Sequence, residues 1–237
     1  RPGTREVEAL SAALARMARE LTDREQYIRT FATSVSHEFK TPLTAVRGAV
    51  ELLQDHWETM SDDERTRFLG VIDSETARLE RLVRRALELA RADVARPGQE
   101  RCDAAAVARA LAARESGAGR AVSVVAPKRA DVRMDADTLD TMLSALVSNG
   151  LRHGGADVRV DVDALPVGVR IVVSDAGPGV SEGNQGRIFD SFFTTDREGG
   201  GTGVGLAIVR TLCDSHGGSV RYERAEGRTR FVVELPD

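Results

Sequence analysis

A histidine with an acid beside it and a hydroxyl one helical turn later occurs early in the chain, as His37, Glu38 and Thr41. The apolar residues around it recur with helical spacing and predict a buried stripe, from which His37 points away. Thr41 follows four residues later and therefore shares the face of His37. An exposed neutral imidazole is a good nucleophile near neutral pH. A lone histidine on a polar helix face is nevertheless usually only a solvated side chain, so this group needs support from elsewhere in the sequence.

A second group of residues suited to chemistry lies in the C-terminal half. It comprises Asn149, the run 175–179 and the glycine-rich run 199–206. Glycines before a helix let the backbone approach a phosphate closely, and the phosphate charge suits a helix N-terminus. Neither a G-x-x-x-x-G-K-[ST] nor a G-x-G-x-x-G pattern occurs, which argues against a P-loop and a dinucleotide fold. The runs favour a phosphate-binding site of another type.

These four segments, in this order, resemble the sensor histidine kinases of bacterial two-component systems. The segment around His37 resembles the H-box, while Asn149 and the two glycine-containing runs resemble the N, G1 and G2 boxes of a GHKL-type ATPase domain. The resemblance extends from about residue 24 to the last residue. One such motif would be weak evidence, but four in order at domain-scale spacing are specific.

The resemblance implies a role for each residue of the nucleotide site. Asp175 matches the acid that accepts a hydrogen bond from the adenine amino group, and Asn149 matches the asparagine that supplies an oxygen to Mg²⁺, an ion that prefers such hard ligands. Arg152 takes the place of a basic residue near the phosphates. The residues expected to bind ATP are Asn149, Arg152, His153, Asp175, Gly177, Gly179, Thr202, Gly203, Gly205 and Leu206.

The same resemblance implies the reaction. His37 would take the γ-phosphoryl group of ATP, with Glu38 accepting the proton from the other ring nitrogen, and the phosphate would pass to an aspartate of a response regulator receiver domain. Glu38 with Thr41 also resembles an E-x-x-T motif, in which the threonine positions water to dephosphorylate the regulator. The expected enzyme is thus both a kinase and a phosphatase.

One position departs from the family pattern. Ala145 stands where many relatives carry a second asparagine, one turn before Asn149, which could weaken coordination of Mg²⁺. This departure supports an alternative, a catalytically weak scaffold that binds nucleotide for signalling. A free-standing GHKL ATPase is a third possibility, although the helical segment around His37 would then have no obvious purpose.

Composition excludes several other classes of function. Net charge is −4, from 33 basic and 37 acidic side chains, and gives no reason to expect nucleic acid as a partner. Two cysteines are too few for a disulfide framework. No apolar run approaches a membrane span, and the N-terminus is not a signal peptide. The cysteine usage favours a reducing cytoplasm. The family resemblance implies the cytoplasmic portion of a protein anchored in the inner membrane through a missing N-terminal portion.

The elements that position the histidine are predicted to be long helices. A short heptad seam within residues 1–23 resembles the end of a HAMP linker. Residues 24–97 are expected to form an antiparallel hairpin, with a first helix at about 24–55 that bends after Pro42 and a polar break at 56–60. Ser61 and Glu64 form a capping box for a second helix that Pro97 and Gly98 end. One continuous seam on such a hairpin predicts a homodimer paired as a four-helix bundle.

Residues 98–237 alternate between helical and strand patterns and predict an α/β sandwich, so the whole fold class is α+β. A helix at about 137–152 carries the N-box, and alternating runs predict neighbouring strands at 157–162 and 167–173. Phe189 to Phe193 resembles the F-box, with a lid at 194–200, and 227–229 is interpreted as a structural glycine motif. The remaining predicted elements are helices at 103–114 and 204–216 and strands at 121–126, 131–134, 219–223 and 228–235.

Overall fold

The computed structural model describes residues 2–94, 100–155, 157–196 and 201–237. The chain divides into two compact units, residues 1–80 and residues 81–237. The first carries the predicted histidine segment, and the second carries the three glycine and asparagine motifs. The predicted domain boundary at residues 97–98 and the predicted stop at Pro97 and Gly98 lie outside the described residues.

A single helix, α1 (Pro2–His56), forms most of the first unit. It continues through residue 23, where the sequence predicted a change from linker to hairpin, and through Pro42, where we expected a bend or loosening. Proline removes one backbone donor from a helix, but the helix around Pro42 persists with that side chain buried. Leu10 and Leu14 of the predicted heptad seam are exposed in the single chain.

The second helix, α2 (Asp62–Val94), begins at the predicted capping box. The Ser61 backbone N–H donates to a Glu64 carboxylate oxygen at 2.9 Å, and the Glu64 backbone N–H donates to the Ser61 hydroxyl at 3.3 Å. Arg65 then fastens the connection, because its guanidinium donates twice to the Trp57 carbonyl, at 3.0 and 2.7 Å. The helical hairpin predicted from the sequence is confirmed.

The second unit is a five-stranded sheet with helices packed against it. The strands are β1 (Cys102–Asp103), β2 (Val122–Val125), β3 (Asp131–Val132), β4 (Val158–Ala164), β5 (Val169–Asp175), β6 (Ser219–Ala225) and β7 (Arg228–Leu235). The helices are α3 (Ala104–Gly117), α4 (Ala136–Gly154), α5 (Glu182–Gln185) and α6 (Gly205–Ser215). The strand order in the sheet is β2-β4-β5-β7-β6; β2 pairs parallel with β4, and the other neighbouring strands pair antiparallel. Helices α3, α4 and α6 pack against the sheet, and α4 contacts both of the others.

Helix α4 is the central helix of this unit. Asp135 caps its N-terminus by accepting a hydrogen bond from the Thr138 backbone N–H at 2.8 Å. The apolar face that the 3.6-residue period predicted is fully buried, as a transfer of apolar surface out of water requires. It consists of Leu139, Met142, Leu143, Leu146 and Val147. This burial fixes which side of α4, and therefore which polar residues, faces the loops at the end of the sheet.

Two short elements escaped the sequence analysis. Strand β1 pairs antiparallel with β3 to form a separate two-stranded sheet, and α5 is a single turn after β5. Strands of two residues and helices of one turn are too short to show a period, so pattern reasoning cannot detect them. Throughout the part of the chain that the structure describes, no helix is sufficiently long and apolar to span a bilayer.

Candidate functional site

A cavity of about 380 Å³ lies in the second unit, bordered by α4, the loop after β5 and the segment before α6. Its size is within the range of small-molecule sites. The structure brings to its walls every residue predicted to bind nucleotide except Gly177, which lies in the β5 loop beside Asp175. The predicted residues that line it are Asn149, Arg152, His153, Asp175, Gly179, Thr202, Gly203, Gly205 and Leu206.

The polar face of α4 forms one wall. Asn149, Arg152 and His153 are three and four residues apart, so their side chains share a face and all three line the cavity. The Arg152 guanidinium lies 3.6 Å from the carboxylate of Asp196, in the segment before α6. Ala145, one turn before Asn149, also lines the cavity. The asparagine amide that many relatives carry at this position is therefore absent from the site itself.

Asp175 stands at the inner end of the cavity as the last residue of β5. Only 2% of it is exposed, and its Oδ1 accepts a hydrogen bond from the Gly177 backbone N–H at 2.8 Å. Burial raises the pKa of this carboxyl, although the Gly177 N–H and the nearby charges of Arg224 and Arg228 act against the rise. A buried acceptor at this position suits a ligand that presents a hydrogen-bond donor.

Glycines are required where α4 meets the β5 loop. A Cβ on Gly154 would lie 2.4 Å from the Cβ of Asp175, and one on Gly177 would lie 2.6 Å from the His153 carbonyl oxygen. Both distances are far inside van der Waals contact. The glycines therefore let α4 approach Asp175, which places Asn149 and the carboxylate on the same cavity.

The N-terminus of α6 opens on the cavity at Gly205. Gly203 precedes it with a φ of 64°, and a Cβ there would lie 2.4 Å from the backbone of Phe192. The Gly203 carbonyl accepts a hydrogen bond from the Phe192 N–H at 2.8 Å. A helix N-terminus with adjacent glycines is suited to an anion. Residues 197–200 of the predicted lid, including Gly199 and Gly200, lie outside the described residues.

The aromatic residues of the F-box divide between packing and the site. Phe192 is buried, with a φ of 65°, and Phe189 packs edge-on against Phe231 with ring centroids 6.3 Å apart. Phe193 lines the cavity, and the guanidinium of Arg187 lies 4.6 Å from its ring centroid. Phe192 therefore packs in the core and does not line the cavity.

Several residues that line the cavity were missed. Thr229, which we interpreted as part of a structural motif, is buried and lines the cavity together with Phe231. Both alternate along β7 with outward-facing arginines, so the strand period could have found them. Others lie within segments that the sequence analysis identified but were not named as ligand residues: Pro178, Phe193, Thr194, Thr195 and Gly201. The rest have no sequence signal of their own: Ser148, Val180, Ser181, Asn184 and Ile188.

The first unit presents the predicted histidine group on α1. His37 and Thr41 are exposed, as their position off the apolar stripe predicted. Glu38 is buried instead, with 7% of the residue exposed, and its carboxylate lies 3.9 Å from the guanidinium of Arg78 on α2. Arg78 also lies 3.7 Å from Glu75, the residue that interrupts the α2 seam. The acid next to His37 therefore faces the hairpin interior.

The cavity lacks a set of side chains that could hold a metal alone. Among the residues that the structure describes, no group of three histidine, cysteine or acidic side chains is arranged for a metal ion. Asn149 offers an amide oxygen to the cavity. A divalent cation bound here would therefore depend on oxygens of the ligand as well as on this amide.

Two family models match the chain. The model of the His Kinase A (phospho-acceptor) domain matches residues 27–94, and that of the histidine kinase-, DNA gyrase B- and HSP90-like ATPase matches residues 134–237. The first match contains His37, Glu38 and Thr41. The second contains every residue that lines the cavity.

Curated relatives are sensor kinases. The chain is 31% identical to the signal transduction histidine-protein kinase AfsQ2 of Streptomyces coelicolor over 94% of its own length and 44% of that protein. It is 33% identical to the probable sensor histidine kinase TcrY of Mycobacterium tuberculosis over 98% of its own length and 52% of that protein. The chain thus spans about half the length of these relatives.

Solved structures share the fold. Full-length ShkA in complex with AMPPNP is 28% identical, with a TM-score of 0.57 over 88% of this chain and 45% of that one. The histidine kinase ThkA in complex with the response regulator protein TrrA is 22% identical, with a TM-score of 0.70 over 90% of this chain and 63% of that one. At that identity the second comparison concerns the fold alone.

Proposed function

The chain belongs to the sensor histidine kinases of two-component signalling systems, and from that membership we propose that it transfers the γ-phosphoryl group of ATP to His37. The observation that carries the proposal is the cavity of the second unit, where Asp175, Asn149 and the N-terminus of α6 meet. The exposed imidazole of His37 supplies the nucleophile.

Different walls of the cavity suit the adenine base and the phosphates of ATP. The buried Asp175 carboxylate accepts the hydrogen bond of the adenine amino group, in surroundings that exclude competing water. Gly203 and Gly205 bring backbone and the helix N-terminus toward the phosphates. Arg152 adds positive charge on the α4 side, where it now lies beside Asp196. AMPPNP, an ATP analogue, is bound by the similar kinase ShkA.

Asn149 is the residue that we assign to Mg²⁺. Its amide oxygen is a hard ligand, and the phosphates of the nucleotide would complete the coordination. When bound, the ion neutralises charge on the phosphates and so favours attack by a neutral nucleophile. The alanine at position 145 leaves the protein with one amide here where the family pattern has two.

The transfer step uses groups from both units, the nucleotide bound in the second and His37 in the first. A ring nitrogen of His37 attacks the γ-phosphorus, an N–P bond forms, and the bond to the bridging oxygen breaks with its electron pair leaving on ADP. Glu38 accepts the proton from the other ring nitrogen. In the structure Glu38 faces Arg78 in the hairpin interior. Its role as proton acceptor therefore requires the carboxylate to turn away from Arg78 and toward His37.

The phosphoryl group then passes to an aspartate of a response regulator receiver domain. The match to the phospho-acceptor domain model and the similarity to sensor histidine kinases support a partner of this kind. Thr41 is exposed on the face of His37, so a regulator bound there would meet both side chains. We propose that Thr41 positions water for the reverse function, dephosphorylation of the regulator.

We further propose that the hairpin pairs with a second copy as a four-helix bundle. Large apolar side chains on both helices remain exposed in the single chain, and burying them would stabilise a dimer. They include Leu43, Leu52, Leu69, Val83 and Leu87. Anchoring of such a dimer in the inner membrane, expected from the resemblance, stays a prediction.

Incubation with γ-labelled ATP and Mg²⁺ tests the kinase proposal. We expect protein-bound label that is lost in acid and retained in base, absent from His37→Gln and present in His56→Gln, a control at another exposed histidine of α1. Nucleotide binding without label would favour the signalling scaffold. Steady hydrolysis of ATP without label would favour a free-standing ATPase.

The phosphatase proposal needs its own measurement. Thr41→Ala should slow loss of phosphate from a labelled regulator while labelling of His37 continues. Thr44→Ala is a matched control, because Thr44 is equally exposed and its hydroxyl donates to the Lys40 carbonyl of its own helix at 2.8 Å. Equal phosphatase rates in the two variants would refute the assignment to Thr41.

A further inference from the structure

Two side chains of β6 make hydrogen bonds to the loop that follows β5. β6 is an edge strand, and its residues Tyr222 and Arg224 pair in register with Phe231 and Thr229 of β7. Both of those β7 residues line the cavity. Tyr222 and Arg224 therefore lie on the cavity side of the sheet, while their neighbour Arg221 points to the opposite face.

Each of the two side chains makes a specific bond to the loop. The Arg224 Nη1 donates to the Gly177 carbonyl at 2.7 Å and to the Thr229 hydroxyl at 3.0 Å. The Tyr222 hydroxyl accepts a hydrogen bond from the Val180 backbone N–H at 3.0 Å. The loop is thus held on both sides of Gly179 by side chains from a strand more than forty positions later in the sequence.

Gly179 itself is packed against both side chains. Its φ is 85°, and a Cβ there would lie 3.0 Å from the Tyr222 hydroxyl and 3.3 Å from the Arg224 Nη1. The bond to Gly177 also extends to the acid, because the Gly177 N–H donates to Asp175 Oδ1 at 2.8 Å. Arg224 therefore holds the carbonyl of the same glycine whose N–H donates to the Asp175 carboxylate.

We propose that Tyr222 and Arg224 are positioning residues that hold the 175–180 loop in the shape that selects the 6-amino group of adenine. The inference rests on the proposed binding of ATP at this cavity. Without Arg224, the Gly177 carbonyl loses its anchor, so the backbone of Gly177 can change its φ and ψ angles and its N–H can move away from Asp175 Oδ1. The carboxylate then loses its fixed direction toward the base, and the site loses discrimination before it loses its fold.

Calorimetric titration of the whole chain with two nucleotides tests the proposal. The probes are ATP and purine riboside triphosphate, which lacks the 6-amino group, both with Mg²⁺. For Arg224→Met we expect ATP affinity to fall about tenfold and the preference for ATP to fall by at least about threefold, as expected for one hydrogen bond. Arg224→Lys should recover part of the preference. Arg221→Met is the matched control, because Arg221 lies on the same strand and pairs with Glu223 and Glu234 on the opposite face.

Hydrogen exchange supplies a readout that needs no nucleotide. Tyr222→Phe keeps the ring beside Phe231, whose centroid lies 5.9 Å away, and removes only the hydroxyl. The Val180 amide should then exchange faster while amides in the centre of β7 are unchanged. Equal nucleotide preference in Arg224→Met and Arg221→Met, or an unchanged exchange rate of the Val180 amide in Tyr222→Phe, would overturn the positioning role of these two residues but not the proposed binding of ATP. If the unaltered chain bound neither nucleotide, the proposed function would fail and the selectivity inference with it.

Discussion

Arg78 of α2 lies 3.9 Å from the carboxylate of Glu38, the residue that follows the proposed phosphoacceptor His37. The side chains are 18% and 8% exposed, so the two charges meet largely out of water. Consecutive residues of α1 thus lie in different surroundings, with His37 exposed to solvent and Glu38 directed toward α2. The stability of the hairpin and the setting of His37 are linked through this contact.

Removing Arg78 should destabilise the hairpin. Arg78→Ala leaves the buried Glu38 carboxylate without this cation, and we expect the free energy of unfolding to fall by about 2 kcal/mol. Arg47→Ala, which breaks an exposed pair with Glu51 on α1, should cost much less, because solvent screens that pair. Urea denaturation followed by circular dichroism measures both, and equal losses would show that burial of the Glu38 charge contributes nothing.

Asp175→Asn should stabilise the second unit at neutral pH while it weakens ATP binding. Burial raises the pKa of Asp175, so the folded state holds a proton that the unfolded state has released, and stability falls as pH rises through that window. Asparagine carries no such charge and keeps an oxygen for the Gly177 N–H. The gain in melting temperature should vanish as pH falls below the ordinary aspartate value. Asp163→Asn, on the exposed part of β4, is the control.

ATP affinity should fall when Asp175 takes up a proton. A protonated carboxyl loses acceptor capacity for the adenine amino group. Because the pKa is raised, the loss begins at higher pH than for an ordinary aspartate. Calorimetric titration of ATP across a series of acidic buffers measures the effect. If the curve of ATP affinity against pH had the same shape in Asp175→Asn, the pH dependence would come from the phosphates of ATP alone. That result would contradict the role of this carboxylate.

Gly154→Ala should disrupt the junction of α4 with the β5 loop. The new methyl group would lie 2.4 Å from the Asp175 Cβ, which is fixed to the backbone and cannot turn aside. We expect a loss of about 1–3 kcal/mol in stability and a larger loss of ATP affinity. Gly183→Ala provides the comparison, since a Cβ there meets no atom within 4 Å. Intact ATP binding by Gly154→Ala would mean that the junction can shift without cost to the site.

Ala145→Asn should lower the concentration of Mg²⁺ that ATP binding requires. Position 145 lines the cavity one turn before Asn149, so the new amide would add a second hard ligand on the same wall. The change costs roughly 0.5 kcal/mol in helix propensity, which the central helix of this unit can tolerate. Ala145→Leu controls for size alone. If the unaltered chain, Ala145→Asn and Ala145→Leu all required the same Mg²⁺ concentration for ATP binding, the absence of an amide at position 145 would have no effect on the metal.

Sequence reasoning predicted the local elements well where a period was long enough to detect. The buried face of α4, the capping box at Ser61 and Glu64, and the exposure of His37 all follow from helical spacing and capping chemistry. It missed Thr229 as a residue of the site because 227–229 was interpreted as a structural glycine motif, whereas the strand register places Thr229 opposite Arg224 and beside the cavity. It also could not foresee that α1 continues unbroken through Pro42.

By itself the sequence determined the type of each element long enough to show a period, the order of the four motifs and the residues that we propose as nucleophile, acceptor and metal ligand. Those properties depend on chemical identity and short-range spacing, which the chain carries directly. Only the tertiary structure decided that Glu38 turns to Arg78 and that Tyr222 and Arg224 hold the loop beside Asp175. Such contacts join residues forty or more positions apart, and their direction depends on which faces pack together, a choice made by burial of the whole core rather than by any local pattern.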